Sequence, residues 1–109
     1  MEKSSLKALA RELLVSAKSK NSGRSARTVY GGHEKVLRQT VVALTAGSSL
    51  DEHDNPGEAT VQVLSGRLVL KAGDVSWEGS PGDHLVVPSV RHSVNALEDC
   101  TFLLTVAKP

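Results

Sequence analysis

The chain has 109 residues, a formal net charge of +1 and 39% hydrophobic residues, and this length is enough for one domain with one buried core. So small a net charge gives no reason to expect nucleic acid as a partner. The single cysteine, Cys100, excludes an internal disulfide and a cysteine-based zinc cluster, and it favours a reduced, cytoplasmic setting. No apolar run approaches the roughly 20 residues that cross a bilayer, so we expect no membrane partner.

The N-terminal segment predicts a short amphipathic helix. Its apolar stripe recurs at helical spacing and consists of Leu6, Leu9, Leu13 and Ala17. Ser4 or Ser5 is placed to cap the start of the helix, and the polar stretch KSKNSGR over 18–24 ends it. We expect the apolar face to pack on the rest of the chain or on a second copy, because it lacks the aromatic residues of a membrane-surface helix.

From residue 26 onward the pattern changes to short β-like runs separated by turns with Gly or Asp. The runs are RTVY, KVLRQTVVALT, ATVQVL, RLVLK, VSWE, HLVVP and TFLLTVA, with a further strand over 93–96. Short strands without helices between them predict an antiparallel sandwich or barrel. We therefore expect an all-β protein in two parts, a helix and linker over 1–24 and a barrel domain over 25–109.

A histidine and a closing glycine mark the first of two motif-like stretches. Gly47 is followed by five residues and then His53, with Asn55 two places further on and Gly66 at the end of the stretch. Residues two apart on a strand share a face. His53 and Asn55 are therefore expected to point to the same side of the sheet.

The second stretch has a similar composition. Gly82 is followed by five residues and Pro88, and then by His92 and Asn95. Together the two stretches resemble the two motifs of the cupin superfamily, which are small β-barrels of jelly-roll type, and the resemblance covers residues 35–107. It implies a jelly-roll barrel with a ligand pocket inside, and it also implies a homodimer.

The resemblance assigns a pocket to five residues, which are His53, Asn55, Ala59, Val61 and His92. Metal-binding cupins hold a transition metal with three histidines and a glutamate. In this chain His53 and His92 keep two of those positions, while Asn55 stands at a third and Ala59 at the position of the glutamate. The remaining metal ligands are therefore His53 and His92, and any cofactor would be a divalent transition metal held by this reduced set.

Two functions remain open at this point. In the first, the two histidines are hydrogen-bonded inside an apolar pocket, and the protein binds a small molecule without catalysis. The alternative is a metal-dependent enzyme, an oxygenase or isomerase acting on a small organic substrate. Asp51, which shares strand parity with His53, and Glu58, which lies next to the missing glutamate position, are the candidate substitute ligands. No catalytic residue is assigned.

Overall fold

A computed structural model describes residues 2–53 and 57–108, with only the backbone at residues 52 and 53. This part of the chain contains one helix, α1 (Leu6–Lys18), followed by strands in chain order. The strands are β1 (Arg24–Tyr30), β2 (Leu37–Leu44), β3 (Ser49–His53), β4 (Glu58–Ser65), β5 (Leu68–Ala72), β6 (Val75–Gly79), β7 (His84–Val87), β8 (His92–Ala96) and β9 (Cys100–Ala107). The expected all-β architecture with a short N-terminal helix is confirmed.

The strands form two antiparallel sheets that face each other across one core. The five-stranded sheet has the order β1-β2-β9-β4-β7, and the four-stranded sheet has the order β3-β8-β5-β6. Phe102, Leu44 and Leu68 are among the largest side chains of the core, and each is 0% exposed. Full burial of one such side chain stabilises the fold by about 1.5–3 kcal/mol. The two sheets therefore close around an apolar interior.

Strand β4 shows how the alternation of the sequence builds this interior. Ala59, Val61 and Val63 are buried in the core between the sheets, whereas Gln62 is exposed. Successive side chains of a strand point to opposite faces, so β4 turns its small apolar residues to the interior and Gln62 to the outside.

Helix α1 lies on the outer face of the five-stranded sheet. Its first turn is capped by Ser5, whose Oγ accepts a hydrogen bond of 3.2 Å from the backbone N–H of Ala8. The buried cluster between helix and sheet consists of Leu9, Ala10, Leu13, Ala17, Val41, Ala43 and Leu103. The apolar stripe of the helix is thus covered by the chain's own sheet.

Strand β1 begins at Arg24 and pairs with β2 along the edge of the five-stranded sheet. The division of the chain between residues 24 and 25 stays a prediction. Within the described residues, no helix has the length and apolar character needed to cross a membrane.

Candidate ligand site at the barrel rim

The pairing of β3 with β8 brings the two histidine-containing stretches together. Leu50 lies opposite Val94 and His53 lies opposite His92, with a shift of register between them. From one pair to the next, β3 therefore advances by three residues and β8 by two, which indicates a β-bulge in β3. Directly opposite residues of an antiparallel pair have Cα atoms about 4.5–5.5 Å apart. The backbone thus places residue 53 next to His92.

His92 belongs to the inner face of the four-stranded sheet. It is 4% exposed, and it alternates with Val94 and Ala96, which lie in the core between the sheets. On the side away from β3, its cross-strand partner is the buried Ala72 of β5. On the β5 side and along β8, the imidazole therefore has small apolar neighbours.

The tautomer of His92 follows from its hydrogen bond to the backbone. Its Nδ1 lies 3.0 Å from the carbonyl oxygen of Val90, and a carbonyl oxygen can only accept, so Nδ1 carries the proton. In the neutral ring the lone pair is then on Nε2. This atom is a hydrogen-bond acceptor for an O–H or N–H group, and it is also the atom with which such a histidine ligates a metal.

Ala59 and Val61 occupy the facing sheet. Ala59 is 7% exposed and Val61 is 1% exposed, and Ala59 lies opposite Val87 of β7 and Val106 of β9. A methyl group offers no donor atom, so this wall is apolar at the position where the resemblance would put a carboxylate. Asn55 lies outside the described residues.

An open cleft reaches this wall at the rim, where β4 begins and β7 ends. Its volume is about 550 Å³, and it is lined by Gly57, Glu58, Ala59, Thr60, Val86, Val87, Pro88 and Ser89. Small-ligand pockets usually measure roughly 300–1,000 Å³. The cleft has the size of a ligand site, and Ala59 is the one residue of the expected pocket among these lining residues.

The described side chains include one of the two expected metal ligands, His92, while the side chain of His53 lies outside them. No group of three or more His, Cys, Asp or Glu side chains converges among them, and the candidate substitutes Asp51 and Glu58 are both exposed. A divalent transition metal usually needs three or four protein ligands. The described side chains alone do not supply such a set. Ligation by His53 and His92 stays a prediction.

The other histidines lie elsewhere. His84 is exposed on β7 opposite the outward-facing Gln62, and His33 is exposed in the turn between β1 and β2. Sequence reasoning did not identify Val90, whose carbonyl fixes the His92 ring, and it did not identify Ala72 as a neighbour. The alternation of buried and more exposed residues in β5 could have indicated that Ala72 faces the interior. No side-chain pattern indicates a backbone acceptor such as the carbonyl of Val90.

Comparison with known proteins gives matches among solved structures. No protein-family model matches the chain, and no curated protein does. TT1209 from Thermus thermophilus is 22% identical with a TM-score of 0.77, covering 100% of both chains. SPY1581, a conserved protein of unknown function from Streptococcus pyogenes, is 28% identical with a TM-score of 0.74, covering 83% of this chain and 78% of that chain.

A third match names the class. An RmlC-like cupin protein from Desulfovibrio desulfuricans is 27% identical with a TM-score of 0.67, covering 77% of this chain and 81% of that chain. The fold and these matches define a small antiparallel barrel of two facing sheets with one N-terminal helix. The chain has the fold of the cupin superfamily, and the expected membership of that superfamily is confirmed.

Proposed function

We propose that this protein is a cupin that binds a small molecule at the barrel rim, with His92 as the polar anchor of the ligand. The observation that carries the proposal is the buried imidazole of His92, which is 4% exposed and is oriented by the Val90 carbonyl. The described residues that share its inner face, Val94 and Ala96, are apolar, as are Ala59 and Val61 on the facing sheet. An apolar chamber with few fixed polar groups is the usual anatomy of a small-ligand site.

The chemistry of the cleft at the barrel rim limits the class of ligand. A charged ligand would lose its hydration without gaining an opposite charge on the apolar wall, which makes its transfer costly. A neutral molecule with an apolar body can instead pack against Ala59 and Val87, which line the cleft. One O–H group on that molecule would donate to Nε2 of His92. Small neutral phenols and alcohols have this combination.

Phenol and anisole provide a matched pair of probes, because methylation of the oxygen removes the donor and keeps the ring. We expect phenol to bind about 5- to 10-fold more tightly than anisole, the difference made by one hydrogen bond in a desolvated site. In the variant His92→Leu the two probes should bind equally. The exposed turn residue His33 provides the control variant His33→Leu, which should keep the preference.

The measurement is a titration followed by backbone amide chemical shifts. Phenol should move the amides at the end of β3, the start of β4, the end of β7 and the start of β8. Equal binding of phenol and anisole by the unmodified protein would overturn the proposal. Shifts confined to the outer faces of the sheets would overturn it as well.

A metal-dependent cupin enzyme, an oxygenase or isomerase, is the second candidate. It is favoured by the register that sets His53 opposite His92 and by the Nδ1 bond of His92, since metal-binding histidines usually donate their other ring N–H in this way. Elemental analysis of freshly purified protein should then find close to one transition metal per chain. His53→Ala and His92→Ala should each lose the metal, and His33→Ala should retain it. A metal content far below one per chain would leave the enzyme without support.

We also propose a homodimer formed through strand β7, an edge of the five-stranded sheet. Val86 on this strand is 71% exposed, and an uncovered edge strand tends to pair with another chain. Light scattering should show a dimer that Val86→Glu converts to a monomer. The control Val15→Glu, at a helix position that is 67% exposed, should remain dimeric.

The cytoplasmic setting expected from the single cysteine stays a prediction.

A further inference from the structure

A second cavity lies on the other side of the five-stranded sheet, between α1 and the outer faces of β4 and β9. Its volume is about 490 Å³, and it is lined by Lys7, Ala10, Arg11, Leu14, Leu64, Ser65 and Thr101. The sheet separates this helix groove from the barrel interior, because Val61, Val63 and Phe102 fill the opposite face. The helix groove is therefore a site independent of the barrel rim.

Two cations stand at the helix side of the groove. Lys7 and Arg11 are exposed and four residues apart, so they are neighbours on the helix surface and repel each other. Within the described residues neither of them forms an ion pair. Lys18, further along the same helix, pairs with Asp99 at 3.5 Å. The groove thus carries two uncompensated positive charges that an anion would relieve.

The sheet side of the groove contributes a pair of hydroxyl groups. Ser65 Oγ and Thr101 Oγ1 are 2.6 Å apart, and Thr101 is 1% exposed. Two hydroxyls have two protons to donate, but one hydrogen bond between them uses only one proton. Neither hydroxyl has another hydrogen-bond partner among the described residues. One proton therefore remains for an acceptor brought by a ligand.

The rest of the wall is apolar. Ala10 is buried, and Leu14 and Leu64 are half-buried beside the helix–sheet cluster. Leucines that are only half-covered gain stability when a hydrocarbon chain covers them, at about 25 cal/mol for each Å² of apolar surface. The groove therefore combines an apolar surface with positive charge and a free donor.

We propose that the helix groove binds an amphipathic monocarboxylate, such as the anion of a medium-chain fatty acid. The carboxylate accepts hydrogen bonds from Lys7 and Arg11, and the hydrocarbon chain lies on Leu14 and Leu64. The uncompensated charge selects an anion, and the half-covered leucines select one with an apolar chain. Inorganic phosphate and short carboxylates lack that chain and bind weakly.

Decanoate below its micellar concentration is the probe, and decanol is the matched uncharged compound. Calorimetric titration should show decanoate binding with 1:1 stoichiometry and decanol binding at least about 10-fold more weakly, since contacts to an ionised group are the stronger ones. Lys7→Gln and Arg11→Gln should each weaken decanoate binding about 3- to 10-fold, as expected for partly exposed charges. Lys20→Gln, at an exposed cation outside the groove, should leave it unchanged.

Further variants distinguish binding in the helix groove from binding at the barrel rim or at a membrane. The double variant Ser65→Ala and Thr101→Val removes both hydroxyls and with them the free donor, so decanoate affinity should fall about 3- to 10-fold. His92→Leu should not change it, which makes this test independent of the barrel ligand. Equal affinity for decanoate and decanol, or unchanged affinity in the Lys7 and Arg11 variants, would overturn the proposal. Binding to vesicles of phosphatidylcholine and phosphatidylglycerol without binding to monomeric decanoate would overturn it in favour of a membrane surface.

Discussion

Replacing Ala59 with glutamate tests whether the residues of the barrel site converge. Ala59 is 7% exposed and lies between Val87 and Val106, so the new carboxyl would enter an apolar wall. Such burial without a partner costs about 3 kcal/mol and raises the pKa of the carboxyl, which then stays protonated. For a domain of this size we expect the melting temperature to fall by on the order of 10–15 °C.

A transition metal should reverse this loss if residue 53, position 59 and His92 face one another. Two imidazoles and one carboxylate form a three-ligand zinc site. At a Zn²⁺ concentration of 100 times the dissociation constant, binding returns about 2.7 kcal/mol. Calorimetric melting of Ala59→Glu should therefore show a large upward shift with Zn²⁺, and chelator should abolish that shift.

The control is Gln62→Glu on the same strand. Gln62 is exposed, so its replacement should change the free energy of unfolding by less than about 0.5 kcal/mol. It should gain no stability from Zn²⁺. If Zn²⁺ stabilised both variants equally, or neither, position 59 would not share a site with the two histidines, and the reasoning would be wrong.

The remaining predictions concern the helix, the cysteine and the turns. In α1, Leu13 faces the sheet and is 4% exposed, whereas Val15 is 67% exposed. Leu13→Ala should therefore lower the free energy of unfolding in urea by about 3 kcal/mol, and Val15→Ala by less than about 0.5 kcal/mol. Equal losses would contradict the packing of the helix on the sheet. Burial raises the pKa of the Cys100 thiol from 9.0 to about 11. The unfolded chain therefore loses this proton first as the pH rises, and the free energy of unfolding should fall by about 2–3 kcal/mol across that interval relative to Cys100→Ala. A pH dependence identical to that of Cys100→Ala would refute this. Gly66 and Gly73 have φ of +71° and +59°, but a Cβ meets neighbouring backbone only at Gly66. Gly66→Ala should therefore destabilise more than Gly73→Ala, for which we expect about 1–2 kcal/mol, and the opposite order of melting temperatures would count against the turn geometry.

Much of the fold follows from local patterns. The two-residue alternation of β4 accounts for its buried face, and the leucine spacing of α1 predicted its packing, because both periods are fixed by backbone geometry. A serine before the helix predicted the cap, although the sequence left Ser4 and Ser5 equal. The hydrogen bond from Ala8 to Ser5 decides between them.

The site was harder to predict because it depends on register. Strand β3 is absent from the apolar runs of the sequence, since Leu50 is its only apolar residue and it lies at the edge of its sheet. The bulge between Leu50 and His53 interrupts the regular alternation of side chains along β3. The expectation that Asp51 and His53 share a face depends on that alternation, so the sequence alone could not support it. Only the pairing with β8 shows which residue lies opposite His92.

The state of the His92 ring tests the central claim most directly. A long-range proton–nitrogen spectrum of isotope-labelled protein distinguishes a protonated ring nitrogen from one with a lone pair. With Nδ1 bonded to the Val90 carbonyl, we predict that the neutral ring carries its proton on Nδ1 and that its Nε2 resonance moves when phenol is added. A neutral ring with its proton on Nε2, or an Nε2 resonance that phenol leaves unchanged, would contradict the assignment of His92 as the anchor of the ligand.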